Sequence, residues 1–203
     1  MLSKKANDEN PISEAIVEVA ERLYRQIGFQ KTTVSDIASE LQMSPANIYR
    51  YFESKAAINE AVCSDLLGKI EVEAEKIAAS KEAAPESIRN FFGSVQTINR
   101  IQYKLDRKLY DLVEASITKK WPIAIQHDKH MVEILERIIA KGMKSGEFPW
   151  GNAALVARLV ITACMQFHDP RLLEENEQQS GPTLDQMLSF CITAIHSGQW
   201  QHT

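Results

Sequence analysis

An all-α protein is what this sequence predicts, and three observations carry that reading. Apolar residues recur at i, i+3, i+4 and i+7 through most of the chain. No stretch alternates apolar and polar residues as a half-buried strand would, and no segment repeats at a fixed period. Ser, Thr or Asn, in places followed by Pro, stands just ahead of the periodic runs, and Gly closes others. The pattern sums to about nine helices. It divides into a flexible arm (1–10), an N-terminal three-helix domain (11–56) and a larger helical domain (57–203).

The elements follow in order. Asn10 and Pro11 open the first helix, with Ile12, Ile16, Val19, Leu23 and Ile27 on one face and Gly28 as its stop. Thr33 opens the second, with Asp36 three residues on as a capping-box variant and Val34, Ile37, Ala38 and Leu41 as the stripe. Ser44 and Pro45 open the third. Only Gln42 and Met43 separate these two, a link too short for an antiparallel pair, so the helices cross steeply. Ser54 opens a long helix running to Ile77, its far end rich in Glu and Lys. Further helices are expected over Pro85–Gln102, Asp106–Trp121, Pro122–Ser145, Asn152–Phe167 and Leu184–Ser197, with a polar loop at 174–182.

The composition, 44% hydrophobic and 25% charged over 203 residues, excludes a disordered chain and allows a large core without disulfides. Three scattered cysteines (Cys63, Cys164, Cys191) make neither a disulfide framework nor a metal knuckle and suit a reducing compartment. Met1 to Glu9 is polar rather than a signal peptide, and the most apolar run, Leu155 to Met165, is too short to span a bilayer. The expectation is a cytoplasmic protein with no membrane partner. A net charge of −4 weighs mildly against a nucleic-acid partner. Residues 1–58 hold seven bases and eight acids, but four of the acids precede residue 20. The placement of charge, not its sum, sets the field at a phosphate.

The third helix carries the chemistry. Ile48 and Phe52 can face the core together, leaving Pro45, Ala46, Asn47, Tyr49, Arg50 and Tyr51 around the outside. The cap Ser44 and the small residues after it let the backbone approach phosphates and base edges closely. Asn47 and Arg50 carry the donors that read bases in a major groove. Tyr49 and Tyr51 can bond phosphates, and Thr33 and Lys55, at two other helix starts, can fix the backbone position.

Residues 28–55 resemble the helix-turn-helix of TetR-family transcriptional regulators, through Gly28, Thr33, Val34, Ile37, Ala38, Met43, Ser44, Ile48, Tyr49, Tyr51, Phe52 and Lys55. The resemblance runs from the first helix into the fourth. It implies phosphate contacts at Thr33, Lys55 and Tyr49 or Tyr51, with Pro45, Ala46, Asn47 and Arg50 nearest the bases of a double-stranded operator. Two departures stand out. Gln42 sits in the turn where the family usually has Gly, and Asn47 stands where a smaller residue is common.

The resemblance also implies a homodimer whose last two helices pair with their symmetry mates. Two recognition helices would then lie one DNA turn apart, roughly 34–36 Å. The Leu155–Cys164 run is apolar almost all round, more than one protomer's surface can satisfy. Ala157, Val160, Ile161, Cys164, Met187, Cys191 and Ile195 are the expected interface. A polar line at Arg158, Thr162 and Gln166 could face a pocket, the dimer axis or water. A small apolar or aromatic effector would lie among the middle helices, against Phe91, Phe92, Tyr103, Tyr110, Trp121, His127, Met131, Met165 and Phe167. Each of these could equally be plain core.

His127 and His130 lie on a polar stretch and are expected in solvent, so no metal and no cofactor is assigned. No phosphate-cradling Gly loop or nucleophile elbow marks an enzyme. The reading is a homodimeric repressor released from a palindromic operator by a small molecule. The alternative is a DNA-binding dimer controlled by a protein partner or by no effector.

Overall fold

The computed structural model describes residues 11–172 and 181–198. The arm at 1–10 and most of the 174–182 loop lie outside the described residues. Helices supply all the regular structure among those described: α1 (Pro11–Ile27), α2 (Val34–Glu40), α3 (Pro45–Ile48), α4 (Lys55–Ala79), α5 (Ala84–Leu105), α6 (Arg107–Thr118), α7 (Pro122–Ser145), α8 (Ala153–Ala163), α9 (Met165–His168) and α10 (Leu184–Ser197), with one 3-10 turn at Pro170–Leu172. The all-α expectation holds.

Two compact units divide the chain. The first takes residues 11–66 and Asp106–Ile123; the second takes Leu67–Leu105 and the chain from Ala124 onward. The division falls inside α4, some ten residues later than the 56/57 boundary read from sequence, and α6 lies with the first unit. Chemistry within that unit explains the placement of α6. Lys108 Nζ donates to the Gln26 carbonyl at 2.6 Å, a cation at the C-terminal end of α1 where the helix dipole favours one. Arg25 Nε donates to Asp106 at 3.1 Å. Ser116 and Cys63 share a side-chain bond between α6 and α4. Leu109, Leu112 and Val113 of α6 are buried like Ile16, Ala20 and Leu23 of α1.

In the second unit one apolar cluster draws on six helices: Ile70 and Ala74 from α4, Ile88, Phe91 and Phe92 from α5, Ile134, Leu135 and Ile138 from α7, Val156 and Val160 from α8, Phe167 from α9, and Leu188 and Ile192 from α10. Its ends are sealed by polar bonds. Glu147 accepts from the Ala84 N–H at 2.6 Å, capping α5 with a carboxylate. Lys141 donates to the Ser80 carbonyl at 2.5 Å, beyond the C-terminus of α4. Arg89 reaches Asp185 at 2.6 Å and the Ser189 hydroxyl at 3.0 Å, fastening α5 to α10.

The run expected as one helix over Asn152–Phe167 breaks at Cys164, which ends α8 and precedes the single turn of α9. Just before the break, the Thr162 hydroxyl donates to the Arg158 carbonyl four residues back. That back-bond bends a helix.

The expected dimer residues need correcting. Ala157, Val160, Ile161, Cys164, Cys191 and Ile195 are all buried within the protomer's own core. Only Met187, half-buried, retains any outward surface among the seven. The outward face of α8 carries Leu155, Leu159 and the exposed Arg158 and Thr162, and that of α10 carries Phe190, Thr193 and Ala194. Leu155 is 46% exposed, Leu159 49% and Phe190 73%. A helix apolar all round offers two stripes, and the larger core residues of α5 and α7 select the inward one. The polar line is thereby placed in part: Arg158 and Thr162 lie on the exposed side, with Arg158 paired to Asp128 at 3.3 Å.

Candidate nucleic-acid interface

Three consecutive helix starts build this surface. Thr33 accepts from the Asp36 N–H at 3.1 Å, and Asp36 in return accepts from the Thr33 N–H at 2.7 Å, so the expected capping box is complete. The Thr33 hydroxyl also donates to Asp36 at 2.8 Å. These bonds, led by the backbone one from Thr33, hold the Asp36 carboxyl below the ordinary range. Both donors of Thr33 are therefore engaged by Asp36, and a phosphate at Thr33 has to compete with that carboxylate.

At the end of α2 the chain turns in a Schellman arrangement. The Met43 N–H bonds the Ala38 carbonyl at 2.8 Å and the Gln42 N–H bonds the Ser39 carbonyl at 3.1 Å. Gln42 itself has φ 54°. This is the left-handed conformation a Gly adopts without cost, so the departure read from sequence is a residue held against its preference. Gln42→Gly relieves a penalty of about 1–2 kcal/mol but gives back about 0.5–1 kcal/mol of unfolded-chain entropy. A net gain of about 0.5–1 kcal/mol is expected. Urea or thermal unfolding of the purified variant reads it, and an unchanged or lower midpoint would refute the assignment of strain to this turn.

Ser44 caps α3 by accepting from the Asn47 N–H at 3.2 Å, with Pro45 at the first helical position. The helix proper ends at Ile48 rather than running on to Phe52. The chain then tightens: the Arg50 N–H bonds Asn47 at 3.2 Å and the Tyr51 N–H bonds Ile48 at 3.0 Å, both three residues back. Ile48 is fully buried. Around that anchor Ser44, Pro45, Ala46, Tyr49 and Arg50 are exposed and Asn47 and Tyr51 half-buried. Tyr49 is 50% exposed. The outward set expected from sequence is thus assembled on one short segment, and Phe52, expected inside with Ile48, is half-buried.

Ser54 caps α4 through the Ala57 N–H at 3.1 Å. Lys55 Nζ donates to the Gln30 carbonyl at 3.2 Å, and partial burial pulls its pKa down although Asp36 opposes the shift. Glu40, the acid nearest the turn, is paired with Arg22 at 2.6 Å. Sequence reasoning missed two residues of this unit. Lys31 is an exposed base in the loop between α1 and α2, immediately before Thr32 and Thr33. Asn59, in the apolar stripe of α4, accepts from the buried Tyr24 hydroxyl at 2.6 Å and ties α4 to α1. An Asn among apolar residues four positions after Lys55 was the available signal.

The expected effector residues do not form one group. Tyr110 and Trp121 belong to the first unit and the other seven to the second. Phe91, Phe92, Met131 and Phe167 share the second unit's core, with the Phe91 and Phe92 rings edge to face at 5.1 Å. Tyr103 is half-buried and Met165 exposed. His127 and His130, expected in solvent, are instead bound to Glu71 at 2.7 Å and 3.0 Å.

Residues 16–62, from α1 into α4, match the family described as bacterial regulatory proteins, tetR family. Residues 84–185, half the chain, match the description Tetracyclin repressor-like, C-terminal domain. The chain belongs to the TetR family. It is a TetR-family DNA-binding regulator, and the segment built around Ile48 falls inside the matched DNA-binding region. Solved TetR-type structures share the fold. The TetR-family regulator PfmR from Thermus thermophilus is 21% identical over 91% of this chain and 98% of its own, with a TM-score of 0.52. A TetR/AcrR-family regulator from Thermobifida fusca is 19% identical over 94% and 99%, with a TM-score of 0.63. FadR from Bacillus subtilis, solved with stearoyl-CoA, is 18% identical over 91% and 98%, with a TM-score of 0.60. No curated protein matches the chain. Among the described residues no helix is long and apolar enough to cross a membrane.

Proposed function

We propose that this TetR-family protein is a homodimeric repressor that holds a palindromic operator through α3 and the turn after it. In this reading a small apolar or aromatic molecule, bound in the second unit, releases it. The observation that carries the DNA contact is the donor set around Ile48: the Tyr49 and Arg50 side chains bond no described residue and are free for a ligand. Arg50 and Asn47 serve as base readers. Tyr49, Tyr51, Lys55 and the added Lys31 serve as phosphate and sugar contacts, with Ser44, Pro45 and Ala46 giving close approach. Thr33 acts mainly as the cap that sets α2. The apolar core of the second unit, rich in Phe and Met, supports an apolar or aromatic effector rather than a charged one.

Selection from random duplexes would supply an operator, on which Arg50→Ala and Tyr49→Ala dimers can be titrated. Each is expected to bind roughly 5–150-fold more weakly, and Arg50→Ala also to relax specificity at one base pair per half-site. Wild-type affinity and specificity in both variants would sink the interface assignment.

A further inference from the structure

The second unit holds a titratable cluster that DNA binding leaves unused. Glu71 and Glu75, one turn apart on α4, face His127, His130 and Arg137 on α7. His130 sits between the two carboxylates: Nδ1 lies 3.0 Å from Glu71 Oε2 and Nε2 lies 3.0 Å from Glu75 Oε1. His127 Nδ1 takes the other oxygen of Glu71 at 2.7 Å, and Arg137 donates to the same Glu75 oxygen at 2.6 Å. Carboxylates carry no proton to share. A neutral imidazole has one N–H, so it satisfies one of these contacts and sets a lone pair against an anion in the other. The imidazolium satisfies both.

We propose that His130 is a proton-operated clasp between α4 and α7, closed as the imidazolium and opened on one side when it loses its proton, and that the state of the clasp tunes operator affinity. The second half rests on the DNA-binding function proposed above. It follows from α4 being one unbroken helix from Lys55, at the nucleic-acid surface, to Ala79, beyond both carboxylates.

The neighbouring charges favour a switch at this residue. Asp128 on α7 is answered by Arg158 of α8 at 3.3 Å, and Lys129 by Glu133. His168 of α9 is pushed down by burial and stays neutral near pH 7. Burial also pulls His130 down, but its bonds to Glu71 and Glu75 outweigh that and hold it above its ordinary value of 6.5. Glu71 is held below 4.5 chiefly by His127, and Glu75 chiefly by Arg137. A raised His contributes stability in full below 6.5 and loses it as pH rises through the raised value. The lowered carboxylates contribute above 4.5 and lose it only as pH falls through their lowered values. The clasp is therefore fully closed between these limits and opens on the alkaline side.

Two measurements test it on the full-length protein: NMR titration of the His130 ring, and operator titration at about pH 6 and about pH 8.5. The ring is expected to titrate above an ordinary imidazole in the wild type and to fall back toward it in Glu75→Gln. Operator affinity is expected to differ roughly fivefold or more between the two pH values in the wild type, and to lose that difference in His130→Gln. A wild-type ring that titrates at or below the ordinary value overturns the clasp. A His130→Gln variant that keeps the wild-type pH profile overturns its link to DNA. Absence of operator binding at either pH removes the DNA function and the regulatory half with it, while the ring titration still decides the clasp.

Discussion

Leu159→Asp combined with Phe190→Asp is expected to leave the protein monomeric and to weaken operator binding by about 100-fold or more. Phe190 is 73% exposed on α10 and Leu159 49% exposed on α8, and Leu155 is 46% exposed beside it. Each is already partly buried, so covering it with a partner's side chains contributes roughly 1–2 kcal/mol. An Asp in the same place has to be desolvated without a partner, which costs more than the lost contact. Neither side chain belongs to the protomer's core cluster, so folding should survive. A monomer places one recognition segment on one half-site, and the effective concentration that strengthens the second contact disappears. Analytical ultracentrifugation and operator titration read the two effects. A stable dimer carrying both substitutions would move the interface elsewhere on the surface.

Gly142→Ala is expected to destabilise the second unit, although Ala is ordinarily worth about 1 kcal/mol over Gly inside a helix. The added Cβ would stand 2.5 Å from Ala84 Cβ and 2.6 Å from the Phe148 ring. Ala84 begins α5, and its N–H is held by Glu147 at 2.6 Å, so α5 cannot recede without losing its cap. Phe148 is buried and packs edge to face on His196 at 5.1 Å. Overpacking of this kind costs about 1–3 kcal/mol. Set against the gain in helix propensity, the net loss reaches about 2 kcal/mol, a fall of up to roughly 8 °C in the unfolding midpoint. A raised midpoint would show that α5 and α7 can separate without penalty.

The helix starts were legible because capping is local chemistry. Thr33 with Asp36, Ser44 with Pro45, and Ser54 each announce a helix within three or four residues, and the structure uses all three. The outward residues of α3 were legible for the same reason, since one buried Ile48 fixes which side faces away. What stayed hidden depends on distant partners. Periodicity could not say which stripe of α8 turns inward, because Leu155 and Leu159 stand beside Arg158 and Thr162 on the outward side. It could not place α6 with α1, whose polar link joins Arg25 to Asp106, 81 positions apart. Nor could it show that two histidines on a polar stretch have carboxylate partners 55 or more residues earlier. Gln42 stands out in the sequence only as a departure from the usual Gly, because its left-handed conformation is imposed by the turn that closes α2.

The placement of α6 also sets an order of events during synthesis. The first unit is assembled from two separate stretches of chain, with α5 lying between them in sequence. Its N-terminal helices leave the ribosome early, but the Cys63–Ser116, Arg25–Asp106 and Gln26–Lys108 bonds wait until Arg107–Thr118 has emerged behind them. Until then the nascent chain carries a half-covered apolar face, so the DNA-binding end of this protein is made first and completed late.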